Sequence, residues 1–280
     1  MPYTDAFATL NGCRLHYQDW GRRDAPAILM VHGLTQQSHT FDAVSEQLHG
    51  RYRCIALDVR GRGDSAWSGG ATYNHRTYVQ DVTALLAELG IARFHYMGTS
   101  MGGQIGMLLA AQQPAPFLSL TLNDIGPDIN PAGALRIGAY VKTVPMSFAD
   151  FDACIDWAIA QYPWFRGVPR AAVGAAVKWA VQQRDGGGYR FRFDPAIVQG
   201  APTDPALLQK AAAAMWTGLK ALPCPVLLVR GAESDILHLD TAAAMARAQP
   251  RLIRVDVPGM GHAPTLAEPV VRAALERFFP

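Results

Sequence analysis

Ser100 stands between Gly98 and Gly102 in the stretch Phe94-His95-Tyr96-Met97-Gly98-Thr99-Ser100-Met101-Gly102-Gly103. A serine hydroxyl is a poor nucleophile at neutral pH and needs a base within hydrogen-bond reach. The residues before Ser100 alternate aromatic and apolar side chains and predict a short buried strand. Those after it, Gln104 to Gln112, predict an apolar helix. A chain that turns from strand to helix at a single residue holds that residue in a strained, positive-φ conformation. The glycines two before and two after are needed because strand and helix nearly touch there. Such a bend pushes the hydroxyl outward and aims the helix's free N–H groups at whatever it attacks, the arrangement of a nucleophile elbow. The alternative for Ser100 is an N-cap in an ordinary Gly-rich turn.

His262 is the candidate base. It lies in Gly259-Met260-Gly261-His262, between the last expected strand and the final helix, which places it at the same end of the sheet as Ser100. Its imidazole would need a carboxylate to fix the tautomer and stabilise the imidazolium formed during attack. Asp235, in the loop after Pro225-Val226-Leu227-Leu228-Val229-Arg230-Gly231, is favoured. Glu233 in the same loop and Asp124 at the end of an earlier strand are its rivals. Asp124 has the further reading of a structural carboxylate that satisfies loop N–H groups. The oxyanion of a tetrahedral intermediate requires preorganised donors. The backbone N–H groups of Met101 and of Leu34, the residue after His32-Gly33, are the expected pair. The His32 side chain is expected to hold its loop rather than react. Asp58, Arg60, Arg62 and Asp64 could clamp a substrate carboxylate, but the expectation is that they pair with one another and with neighbouring loops to satisfy a folded loop.

The elements that would position these residues follow a regular rhythm. Two strands, 5–10 and 13–20, flank the turn dipeptide Asn11-Gly12. Apolar runs at 27–31, 53–57, 118–124, 225–231 and 252–257 alternate with helical patterns near 41–48, 78–89 and 240–248 and at the C-terminus. That alternation predicts right-handed β-α-β units, a mostly parallel sheet with helices on both faces, and ligand binding beyond the strands' C-terminal ends. Between about 127 and 222 the rhythm stops, with no convincing sheet strand. This segment carries four of the six tryptophans, Trp157, Trp164, Trp179 and Trp216. We expect a core of residues 1–126 and 223–280 with an inserted helical segment, 127–222. Trp157, Trp164 and Trp216 are the expected wall of an apolar substrate pocket.

Composition narrows the remaining classes. With 280 residues, 50% hydrophobic, 17% charged and a net charge of +2, the chain can bury a large core. It lacks the basic runs that mark a nucleic-acid or membrane-surface partner. Four scattered cysteines (Cys13, Cys54, Cys154, Cys224) supply neither a zinc spacing nor a disulfide framework. The glycine spacing fits no phosphate or dinucleotide loop, so neither metal nor cofactor is expected. Met1 to Asp5 show no export signal and no run approaches membrane-spanning length, so a cytoplasmic protein is expected, as a monomer or small homo-oligomer.

Taken together, His32-Gly33, Asp58-x-Arg60-Gly61-x-Gly63-x-Ser65, Gly98-x-Ser100-Met101-Gly102-Gly103, Gly231-x-x-x-Asp235 and Gly261-His262 resemble the α/β-hydrolase superfamily. The resemblance implies an eight-stranded, mostly parallel sheet and a helical cap inserted after the sixth strand. It implies a Ser–Asp–His order with Ser100, Asp235 and His262, Leu34 and Met101 as oxyanion donors, and Asp124 as an acid position used by some members. A serine at the nucleophile position argues against the epoxide hydrolases and haloalkane dehalogenases. The expected activity is esterase-like hydrolysis of a small-molecule substrate with an apolar portion. A carbon–carbon bond hydrolase of ring-fission products, a lactonase, and a ligand-sensing regulator with an intact triad stand as alternatives.

Overall fold

The computed structural model describes residues 3–162, 165, 167–198 and 204–280. In chain order the elements are β1 (Tyr3–Leu10), β2 (Cys13–Trp20), β3 (Ala27–Val31), α1 (Asp42–Leu48), β4 (Arg53–Leu57), α2 (His75–Glu88), β5 (Phe94–Thr99), α3 (Met101–Gln112) and β6 (Phe117–Asn123). They continue with α4 (Pro131–Thr143), α5 (Phe151–Gln161), α6 (Arg170–Val177), β7 (Val181–Gln183), β8 (Tyr189–Phe191), α7 (Pro205–Ala221), β9 (Val226–Gly231), α8 (Leu239–Ala248), β10 (Leu252–Val257) and α9 (Pro269–Phe278).

Eight strands form one sheet in the order β1-β2-β4-β3-β5-β6-β9-β10. β1 and β2 make the antiparallel hairpin, and β4, β3, β5, β6, β9 and β10 run parallel. Every residue of β3 and β4 is buried, as parallel strands covered on both faces require. Side chains alternate across the sheet: Leu29 and Val31 enter one apolar cluster, with α2, α3, α7 and α8, while Ile28 and Met30 enter another, with α1 and α9. All parallel strands therefore end at one edge, where the loops carrying His32, Asp58, Ser100, Asp124 and Gly231 gather.

The segment between β6 and β9 divides by its packing. α5, α6 and the β7–β8 hairpin surround an apolar cluster of their own, built on Cys154, Ile155, Ala158, Val173 and Val177. α7 instead lies along α3, and its Met215 and Leu219 join the body's core. The β7–β8 hairpin departs from the sequence expectation of no strands here. Its strands are three residues long, too short to show a period of two. It does not join the main sheet. The residues after β8 pair with the loop after β4: Gly63 N–H donates to Arg192 O at 2.7 Å, and Asp194 N–H to Gly61 O at 2.8 Å. The four cysteines are buried free thiols. Among the described residues, no helix is long and apolar enough to cross a membrane.

Candidate active site

Ser100 sits at the junction of β5 and α3 with φ 50° and ψ −115°, a strained conformation for a residue with a Cβ. A Cβ at Gly98 would come within 2.4 Å of the Gly102 and Gly103 backbone, and one at Gly102 within 1.9 Å of the Val31 carbonyl oxygen. Only glycines allow strand and helix to approach this closely. The Ser100 hydroxyl does not cap α3. It lies 2.9 Å from Nε2 of His262.

His262 Nδ1 is 2.9 Å from Oδ2 of Asp124, so the imidazole bridges a hydroxyl and a carboxylate. Asp124 follows β6 directly at φ 56°, and its side chain is fully buried. Gly231 N–H donates to its Oδ1 at 2.8 Å and Ser234 Oγ to its Oδ2 at 2.6 Å. A buried carboxylate needs such hydrogen-bond partners to offset the loss of its hydration.

Asp235, the carboxylate favoured from the sequence, makes no hydrogen bond to His262 among the described residues. Its half-exposed side chain turns outward and forms a two-point ion pair with Arg136 of α4. The Arg136 hydrogen bond holds its carboxyl below the usual range. The loop after β9 does serve the site, but through Gly231 and Ser234, which grip Asp124. No hydrogen bond links Glu233's side chain to the imidazole among the described residues.

Met101 opens α3, where an N–H has no partner within the helix. Leu34 follows the His32-Gly33 bend. His32 is fully buried, and burial pushes its imidazole down to about 4. Its Nε2 lies 3.0 Å from the Val59 N–H and its Nδ1 2.7 Å from Gly33 O. Val59 can only donate, so the neutral ring carries its proton on Nδ1 and donates to Gly33. His32 thus clamps the Leu34 loop to the loop after β4.

The charged stretch after β4 resolves residue by residue. Asp58 accepts from Ser38 N–H at 2.6 Å, Asp64 N–H at 2.8 Å and His16 at 2.7 Å. Arg60 forks onto Asp81 at 2.6 and 2.7 Å. Arg62 does not follow this pattern: it is fully buried and bonds to no carboxylate among the described residues. Its Nε donates to Leu34 O at 3.0 Å, its Nη1 to Arg60 O at 2.8 Å and Tyr78 Oη at 2.9 Å, and its Nη2 faces Met101 Sδ at 3.7 Å. Burial lowers its ordinarily very high pKa. Sequence reasoning missed this link between the two expected donor residues, because Arg62 looked like one more pairing charge. His16, Asp58 and Asp64 also form a cluster with metal-ligand atom types, but His16 bonds Asp58 and Asp64 pairs with Arg192.

Of the three tryptophans expected to wall a pocket, Trp157 lies in an aromatic group with Tyr140, Phe148, Tyr162 and Phe191. Within it the Tyr140 and Tyr162 hydroxyls are hydrogen-bonded. Trp216 is on α7, its indole N–H donating to Asp128 at 3.0 Å and its ring against the body's core. Trp164 lies outside the described residues.

Comparison with known proteins agrees with this fold. The family model for the α/β hydrolase fold matches residues 26–269. The 3-hydroxybutyrate-oligomer hydrolase of Cupriavidus necator is 37% identical over 272 residues, covering 95% of this chain and 92% of that protein. The 2-(acetamidomethylene)succinate hydrolase of Mesorhizobium japonicum is 27% identical over 239 residues, covering 85% and 81%. Among solved structures, an α/β hydrolase from Novosphingobium aromaticivorans superposes with a TM-score of 0.88 at 34% identity, covering 99% of this chain and 98% of that one.

Proposed function

This chain belongs to the α/β-hydrolase family, and we propose that it is a serine hydrolase of ester bonds in which Ser100, His262 and Asp124 form the catalytic row. The observation that carries this reading is the unbroken line of hydrogen bonds, 2.9 Å from Ser100 to His262 and 2.9 Å from His262 to Asp124, at the mouth of a strained elbow. His262 Nε2 takes the Ser100 proton as Oγ attacks the ester carbonyl. Asp124 keeps the other ring proton on Nδ1 and stabilises the imidazolium without itself becoming protonated. The oxyanion settles between the N–H groups of Leu34 and Met101. Collapse expels the alcohol, which receives its proton from His262. Water, activated by the same imidazole, then releases the acid.

The substrate we propose is an ester of a small to medium acyl group with an apolar portion, held under the aromatic group around Trp157. The 37% identity to the 3-hydroxybutyrate-oligomer hydrolase makes short linear hydroxy-acid oligoesters the first compounds to try. The deciding experiment is turnover of p-nitrophenyl acetate and butyrate. Sustained turnover that falls by about 10⁴-fold in Ser100→Ala with the fold retained is expected. A single-turnover burst with a ligand-dependent shift in melting temperature would instead identify a sensor. Faster loss of a dienoic ring-fission chromophore than of any ester would identify a carbon–carbon hydrolase.

A further inference from the structure

Between the C-terminal end of α4, the β7–β8 hairpin and Trp67 lies a half-open cavity of about 430 Å³, a size suited to a small organic ligand. Its described lining includes none of Ser100, His262, Asp124, Leu34 or Met101. It is two-sided in character. Val141, Val144, Phe191 and Phe193 supply an apolar wall, and Lys142, Arg184 and Arg190 face the same space. No Asp or Glu occurs in the described lining, and no carboxylate pairs with any of these three cations among the described residues.

The three charges come from three separate elements: the last turn of α4, the hairpin turn and β8. Like charges lining one space repel, and an anion bound among them relieves that repulsion. Arg190 is held in place for such a role. Its guanidinium lies 4.6 Å over the Trp67 ring, and the side-chain amide of Gln182 lies 2.9 Å from its Nε and Nη2, both of which donate to the amide oxygen once the amide is rotated to face them. A guanidinium fixed this way loses little side-chain freedom on binding a carboxylate. Partial burial strengthens that contact relative to one in open water.

We propose that this cavity is a second binding site, apart from Ser100, for a carboxylate carried on an apolar stem. The carboxylate would meet Arg190, Arg184 and Lys142, and the stem would lie on Val141, Val144, Phe191 and Phe193. That chemistry is shared by a free acid product and by an ester whose far end is a free acid. Connecting the cavity to those two sources rests on the ester-hydrolase reading, whereas the binding itself does not.

The test is calorimetric titration of octanoate into the full-length Ser100→Ala protein, so that binding is read without turnover. Saturable one-to-one binding is expected, weakened about tenfold in Arg190→Gln and in Arg184→Ala, with octan-1-ol and octyltrimethylammonium failing to reproduce it. Both substitutions are at partly or fully exposed positions, and unchanged melting temperatures would show that the fold is kept. No saturable binding, equal binding of octan-1-ol, or unchanged affinity in both variants would overturn the proposal. Wild-type kinetics then separate the two sources. Octanoate that raises KM for the mono-p-nitrophenyl ester of octanedioic acid, but not for p-nitrophenyl butyrate, supports the far end of the substrate. Octanoate that affects both esters alike supports a separately bound acid.

Discussion

The carboxylate of Asp124 accepts from two elements of one loop, Gly231 N–H at 2.8 Å and Ser234 Oγ at 2.6 Å, while its Oδ2 faces His262 at 2.9 Å. The short turn after β9 therefore holds the carboxylate that faces His262 rather than supplying it. Ser234 Oγ also accepts from the N–H groups of Ile236 and Leu237 at 3.2 and 3.1 Å, so it ties the turn together as it grips the carboxylate. Ser234→Ala should cost about 2 kcal/mol of stability, the scale for a hydrogen bond to a buried charge. It should also lower kcat several-fold by loosening Asp124, which urea unfolding and steady-state kinetics on one ester would measure.

His32 gives the stability a definite pH dependence. Its folded-state pKa is depressed to about 4 by burial, whereas the unfolded imidazole titrates near 6.5. Below about 6.5 the unfolded chain takes up a proton that the folded chain refuses. The stabilisation is complete above that pH and is lost as the pH falls toward 4. For His32 alone the loss is about 3 kcal/mol, and His95, also lowered to about 4 by burial, acts with the same sign. The urea midpoint should fall steadily from pH 7 to pH 4.5. A midpoint that stays level or rises over that range would contradict this.

Arg62 bonds Leu34 O and faces Met101 Sδ, so it braces both proposed oxyanion donors without reaching the substrate. Arg62→Lys keeps a cation but cannot make the fork. It should lower kcat by about ten- to a hundredfold, the scale of a small misplacement at a reacting centre. KM should be left nearly unchanged, since ground-state binding is made elsewhere. A variant in which KM rises while kcat holds would place Arg62 among the binding groups instead.

Much of this molecule is legible in its sequence because the signals are local. The continuous apolar run at 27–31 and the strand at 53–57 are β3 and β4 as read, and Asn11-Gly12, at φ 48° and 72°, makes the first hairpin turn. Gly98 declares the elbow because the clash it avoids, with the Gly102 and Gly103 backbone, lies within five residues, whereas Gly102 clears the carbonyl of Val31 on the neighbouring strand. The choice between Asp124 and Asp235 was not local. Both are carboxylates in loops at the same edge of the sheet. What separates them is Arg136, about a hundred residues away in the chain, which draws Asp235 outward, and the Gly231–Ser234 turn, which closes around Asp124. The role of Arg62 was hidden for the same reason, since its partners come from β3's loop, α2 and α3.

The most direct measurement is kcat/KM for p-nitrophenyl butyrate in Asp124→Asn and Asp235→Asn, side by side with the wild type. Asp124→Asn should lose about 10⁴-fold, as an amide there would favour the wrong tautomer of His262. Asp235→Asn breaks only a half-exposed ion pair and should stay within a few-fold of wild type. The opposite ranking, with Asp235→Asn crippled and Asp124→Asn active, would contradict the account.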